Sequence, residues 1–160
     1  AKEEFGLTTF CNVSPLPDGP MGDLSYLDYI ILNDVEARAL LGLEEDAPDS
    51  VRQMSENLKK VYGCGGVILT CGEQGSAVLV GDAYFEVDPV PVDAVDTIGA
   101  GDGYLAAFAS GLIRGLDVRQ AAEYAGRYAA FKVTRKGSMT RKPGMGYPYA
   151  KEVDAFIRSL

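Results

Sequence analysis

The sequence contains no histidine. Ser-His-Asp and Cys-His catalysis and every histidine-ligated metal are thereby excluded. Acid–base chemistry falls to carboxylates, lysine, tyrosine or cysteine. Positive charge is also short: 15 lysines and arginines face 23 aspartates and glutamates, a formal net charge of −8. Such a chain repels phosphate backbones and anionic lipid, so neither nucleic acid nor a membrane surface is an expected partner. No apolar run approaches the ~20 residues that span a bilayer. No signal-like segment opens the sequence, and the ending Arg158-Ser159-Leu160 is not the S-K-L peroxisomal address. Cys11, Cys64 and Cys71 are odd in number and lack CxxC spacing, which supports neither a disulfide framework nor a cysteine-only zinc site. They read as small buried thiols in or beside strands, suited to a reducing cytoplasm. Two phosphate-binding signatures are missing as well, G-x-x-x-x-G-K-[ST] and G-x-G-x-x-G.

What is present suits a globular domain. The chain has 160 residues, 47% of them apolar, enough to bury a core and too apolar for disorder. Glycine is abundant, 19 residues, and falls between periodic segments. Leu7 to Val13 reads as a strand broken by Pro15 and Pro17, and Ala1 to Gly6 as the tail of a helix. Tyr29 to Leu32 and Val67 to Thr70 are short continuous apolar runs, the pattern of strands buried on both faces. Asp34 to Leu41 predicts a helix stopped by Gly42, and Asp49 or Ser50 can cap a second carrying Val51, Met54, Leu58 and Val61. Ser76 to Val80 and Tyr84 to Val87 flank Gly81-Asp82, a hairpin signal. Helices are expected from about Gly101 to Arg114, from a capping box at Asp117 and Gln120 to about Val133, and from Tyr149 to Leu160. Strands separated by helices argue for an α/β layer on a mainly parallel sheet with an antiparallel hairpin at one edge. The sheet looks incomplete at its amino-terminal side.

The densest signal is Asp96-Thr97-Ile98-Gly99-Ala100-Gly101-Asp102-Gly103, followed at once by an apolar helix. Gly99 and Gly101 permit a backbone in which successive N–H groups face one point, and the helix N-terminus behind them favours negative charge. Asp102 lies at the same spot. An anion hole beside a carboxylate base is what phosphoryl transfer to an alcohol requires. The plainer alternative is a helix-capping aspartate on a glycine turn.

This octet closely resembles the D-T-x-G-A-G-D signature of the ribokinase-like (PfkB) carbohydrate kinases. Asn33-Asp34-Val35-Glu36 resembles that family's N-x-x-E element, and Thr70 to Gly75 its T-x-G-x-x-G turn. Val133 to Ser138 and Tyr147-Pro148-Tyr149 are similar to its ribokinase branch. The resemblance implies an ATP-dependent kinase that passes the γ-phosphoryl group to a primary hydroxyl of a sugar such as D-ribose. Asp102 becomes the general base, and the backbone of Gly99, Ala100 and Gly101 the anion hole. Asn33, Thr70, Gly72 and Gly75 are assigned to the nucleotide, and Glu36 to Mg²⁺ through water. A monovalent cation, K⁺, falls to Asp96, Ile98, Lys132, Arg135 and Gly137. The small residues Ala121, Ala122, Ala125, Gly126 and Ala129 either pack a helix closely or leave a slot for adenine. This sequence departs from the pattern at Gly103 and Tyr104, in the long stretch Met139 to Gly146, and at Thr140 or Arg141, where the family offers a hydroxyl to the cation.

Residues 1–160 resemble the carboxyl-terminal, nucleotide-binding and catalytic part of such enzymes, with the amino-terminal sugar-binding half and lid absent. The sheet edge left by missing strands favours association, so a homodimer is expected. Two other readings stay open: a non-catalytic nucleotide-binding module or incomplete fragment, and a related kinase acting on fructose, adenosine or a vitamin alcohol.

Overall fold

Continuous apolar runs become strands with no exposed face. The computed structural model describes residues 2–19, 21–44, 48–140, 142 and 144–160. They fall into two compact units, Ala1–Gly72 with Ser76–Glu86, and Glu73–Gly75 with Val87–Leu160.

In the first unit a short helix α1 (Lys2–Phe5) precedes β1 (Phe10–Asn12). Then come β2 (Tyr29–Asn33), α2 (Asp34–Leu41), α3 (Val51–Tyr62), β3 (Gly66–Thr70), β4 (Ser76–Val80) and β5 (Ala83–Val87), of which the last residue, Val87, is counted in the second unit. The strands lie in the order β1-β2-β3-β4-β5. β1 and β2 are parallel with Cys11 opposite Ile30, β2 and β3 are parallel with Ile31 opposite Ile68, and β3 and β4 are antiparallel with Ile68 opposite Val78. Ile30, Val67, Ile68, Leu69 and Val78 are all 0% exposed, each contributing roughly 1.5–3 kcal/mol by leaving water. One face of this sheet, through Ile30, Leu32, Val67 and Leu69, packs with Met54 and Leu58 of α3, Ala37 of α2, and Leu24 and Leu27.

Local chemistry accounts for the helix ends. Ser50 caps α3, accepting from the Gln53 N–H while the Gln53 side chain returns a bond to the Ser50 N–H; the helix ends at Gly63. Its buried face runs through Met54, Ser55, Leu58 and Tyr62, so Val61, placed on that face by the apolar spacing, lies at its margin and stays 64% exposed. β1 is shorter than the apolar stretch Leu7 to Val13, because Asp28 captures the chain just before it. The Asp28 carboxylate accepts the Thr9 N–H at 2.8 Å and the Thr9 hydroxyl at 2.9 Å.

The three thiols are free. Cys11 lies in β1, Cys71 directly follows β3, and Cys64 is buried in the loop before β3. Burial, helped by the charges of Asp34 and Glu86, pushes the Cys71 thiol up to about 11, so a reactive thiolate is not formed near neutrality.

The second unit is helical: α4 (Ala100–Ile113), α5 (Val118–Val133) and α6 (Ala150–Ile157). Asp117 caps α5 in a reciprocal pair with Gln120. Ala121, Ala122 and Ala125 are fully buried, and Gly111 of α4 meets Ala121 so closely that a Cβ there would stand 3.0 Å from the alanine methyl. Close helix packing therefore accounts for Ala121. Phe131 and Phe156 stack with centroids 4.7 Å apart, tying α5 to α6. Among the described residues, no helix is long and apolar enough to cross a membrane.

Candidate active site

In the second unit, the carboxyl end of α5 holds the loop that leads into α4. The Val133 carbonyl accepts the N–H groups of Val95 at 2.7 Å and Asp96 at 3.0 Å. Asp96 then organises the turn with both carboxylate oxygens. Oδ1 accepts the Ile98 N–H at 2.9 Å, and Oδ2 accepts the Gly137 N–H at 2.7 Å. These amides, Ile98 foremost, hold the Asp96 carboxyl below its ordinary range, with Lys132 and Lys136 adding attraction. The Lys132 side chain is 0% exposed, and its ammonium donates to the Asp96 carbonyl at 3.0 Å.

Gly99 opens α4 with φ +78° and no side-chain cap. Besides that left-handed backbone, a Cβ at Gly99 would strike the Tyr147 hydroxyl and stand 3.1 Å from the Ser138 Cβ, so glycine is required twice over. The Ala100 N–H closes the turn by donating to the Thr97 carbonyl at 3.0 Å. Asp102 is exposed in the first turn of α4, where a carboxylate is favoured by the positive end of the helix. The Tyr147 hydroxyl donates to the Asp102 carboxylate. Burial, and then the charge of Asp102, raise the phenol above its ordinary 10.

Tyr147 is placed by a web rooted in Arg135, which is 6% exposed. The guanidinium donates to the carbonyls of Gly146 and Met145, both at 3.1 Å, and pairs with Glu152 at 3.0 Å. Glu152 also accepts the Tyr149 N–H at 2.8 Å, capping α6, and Tyr128 donates to the Pro148 carbonyl at 3.1 Å.

The remaining expected residues lie mostly in the first unit. Asn33 and Glu36 form a reciprocal capping box at the start of α2: Asn33 accepts the Glu36 N–H at 2.7 Å, and Glu36 Oε2 accepts the Asn33 N–H at 2.9 Å. Parallel pairing puts Thr70 directly opposite Asn33 at the carboxyl ends of β3 and β2. That is the edge where ligands sit in open α/β sheets. Gly72 begins a single 3₁₀ turn, Gly72–Gln74. Gly75, in the second unit, has φ +88° and lies against the Val87 carbonyl, leaving no room for a Cβ.

The donor sets bear differently on the two cations. Among the described residues, no group of three Asp, Glu, Cys or His side chains converges to hold a metal. A Mg²⁺ ion that kept its waters and took phosphate oxygens would need only one or two carboxylates. Glu36 uses only Oε2 in its capping bond. Two of the residues expected to hold K⁺, Asp96 and Lys132, have oxygens that already accept hydrogen bonds. Both Asp96 carboxylate oxygens accept amides, its carbonyl accepts an ammonium, and the Lys132 carbonyl accepts the N–H groups of Thr134 and Arg135. Thr140 uses its hydroxyl to accept the Lys142 N–H at 3.3 Å, and Arg141 lies outside the described residues.

The loop thus gathers Asp96, Ile98, Gly99, Lys132 and Gly137, while Asn33, Glu36 and Thr70 gather at the strand ends of the other unit. Three side-chain roles escaped sequence reasoning: the Tyr147 hydroxyl on Asp102, the Lys132 ammonium, and the Arg135 guanidinium. Only Lys132 carried a signal. It falls seven residues after Ala125, two helical turns along the buried face.

Residues 5–144 match the model of the "pfkB family carbohydrate kinase". A deoxyribokinase of Salmonella typhi is 33% identical over 136 residues, covering 83% of this chain and 44% of the relative. A ribokinase of Schizosaccharomyces pombe is 30% identical over 146 residues, covering 83% of this chain and 43% of the relative. The chain thus spans less than half the length of these relatives. Among solved structures, Arabidopsis thaliana ribokinase complexed with ribose and ATP superposes with a TM-score of 0.81 at 27% identity, over 96% of this chain and 48% of that one. Thermotoga maritima ribokinase gives 0.80 at 26%, over 98% and 50%. The glycine loop, the strand order and a family match over most of the sequence agree, and the chain belongs to the pfkB family of carbohydrate kinases.

Proposed function

We propose that this chain is the nucleotide-binding and catalytic part of an ATP-dependent sugar kinase, corresponding to the carboxyl-terminal part of its longer relatives. The acceptor is a primary hydroxyl of a pentose, D-ribose first. The observation that carries this reading is the start of α4: a helix N-terminus without a side-chain cap, opened by Gly99, with the exposed Asp102 carboxylate in its first turn. Donors for an anion and an acceptor for a proton then lie within one helical turn, about 5.4 Å of axis.

In this reaction Asp102 accepts the proton of the sugar hydroxyl as its oxygen attacks the γ-phosphorus, and ADP leaves in line. Backbone N–H groups of Gly99 and Gly101 face the charge spread on the phosphoryl oxygens. The Ala100 N–H supports the turn through its bond to Thr97. Asn33, Thr70, Gly72 and Gly75 serve the nucleotide. Glu36 holds Mg²⁺ through water, and the ion neutralises phosphate charge when bound. A reducing cytoplasm suits the three free thiols, and a second copy of the chain is the expected partner, through the sheet edge.

The deciding experiment is ADP formation from ATP–Mg²⁺ with and without ribose or deoxyribose. Sugar-dependent ADP supports the kinase. Deoxyribose preferred over ribose moves the acceptor toward the deoxyribokinase relative. Saturable ATP binding without turnover supports a second reading, a nucleotide-binding module or an incomplete part of an enzyme. That reading is favoured by one observation, that the chain spans 44% of the deoxyribokinase.

A further inference from the structure

A charged side chain with no access to water needs an account. Lys132 is 0% exposed within α5. Burying an ammonium is costly unless it is compensated by nearby oxygens. Among the described residues, its hydrogen bond goes to one acceptor, the Asp96 carbonyl at 3.0 Å. The Asp96 carboxylate stays close enough to be stabilised by the same charge. The ammonium therefore sits at the root of the turn that leads into Gly99, where the family resemblance calls for K⁺.

We propose that the Lys132 ammonium is a tethered resident cation of this turn, taking the place of a diffusible monovalent ion, so that this chain binds no potassium there. An ion on the Asp96 carbonyl would meet a like charge already within hydrogen-bonding distance of that oxygen. Two neighbouring groups already accept hydrogen bonds as well: the Asp96 carboxylate from Ile98 and Gly137, and the Lys132 carbonyl from the end of its own helix. A covalently attached cation also has a structural use. The peptide unit is planar and trans, so fixing the Asp96 carbonyl fixes the Thr97 N–H on its opposite side and, with it, the entry to Gly99. That use in shaping a phosphate cradle rests on the proposed kinase reading; the occupancy of the site does not.

The test uses thallium(I) as a potassium probe, followed by its NMR signal, together with melting temperatures in potassium, ammonium or choline chloride at equal ionic strength. None of these readouts depends on phosphoryl transfer, so a failed kinase assay and a failed cation assignment remain separate results. The unsubstituted chain is expected to show no saturable thallium binding and the same melting temperature in potassium as in choline. Lys132→Ala opens the space and is expected to melt several degrees lower, regaining at least half that loss saturably in potassium or ammonium but not in choline. Folding of this variant only in potassium or ammonium supports the proposal equally. Lys132→Met, which fills the space without charge, should melt lower and regain nothing. Saturable thallium binding by the unsubstituted chain overturns the proposal, and that measurement needs no variant. So does a folded Lys132→Ala that is indifferent to every small cation.

Discussion

Gly99 and Tyr147 meet at the start of α4, and each constrains what the other can be. An alanine at residue 99 must adopt φ +78° and displace the Tyr147 hydroxyl at once. Gly99→Ala should therefore cost about 2 kcal/mol or more, read from urea unfolding. Tyr147→Phe should cost about 1 kcal/mol by removing the donor to Asp102. Its pH dependence is a sharper check. The Tyr147 phenol is raised above its ordinary 10, so its contribution is complete below pH 10 and is lost as pH climbs through the raised folded value. The stability gap between Tyr147→Phe and the unsubstituted chain should close on the alkaline side only. At this scale the sequence is legible where spacing is short. The octet from Asp96 to Gly103 reads as a carboxylate beside a glycine turn because all its parts are contiguous. The bonds from Lys132 and Gly137 to Asp96 cross 36 and 41 residues, and nothing local announces them.

Helix boundaries are the best-read elements, for the same reason. The capping boxes Asn33/Glu36, Ser50/Gln53 and Asp117/Gln120 each span three residues, so both partners lie in a single window of sequence. Asn33→Ala and Ser50→Ala should each destabilise by about 1 kcal/mol in thermal or urea unfolding. ATP affinity, measured by titration calorimetry, should fall only for Asn33→Ala, since Ser50 has no proposed part in the nucleotide site. β1 shows the opposite case. Its apolar stretch suggested seven residues, and pairing with β2 extends over only Phe10–Asn12, because a side chain 19 residues away, Asp28, claims Thr9. The link from α5 to α6 is also non-local. Arg135 carries two carbonyls and Glu152 together, and replacing this buried guanidinium with methionine should cost about 3 kcal/mol by stranding all three acceptors.

Across the whole chain, the absence of histidine leaves carboxylates and phenols to set the pH response. Hydrogen bonds from backbone N–H groups hold the carboxyl groups of Asp96 and Glu152 below their ordinary values, from Ile98 and Gly137 in the first case, and from Tyr149 with help from the Arg135 guanidinium in the second. A depressed folded value means stability that is fully present above the unfolded value and lost as pH falls through the folded one. Acid unfolding should therefore set in below about pH 4.5, the ordinary value for a glutamate, and Glu152→Gln should flatten that limb. No inflection is expected between pH 6 and 7, where histidine would titrate. The fold class follows from run lengths and caps, and the family from one contiguous octet. The central claim, that Asp102 is the base of a sugar kinase, is tested most directly by ribose-dependent ADP formation in Asp102→Asn. Turnover should fall roughly 10²- to 10⁴-fold, with ATP–Mg²⁺ affinity within about threefold, a difference under ~1 kcal/mol. Ribose-dependent turnover at the unsubstituted rate would contradict it.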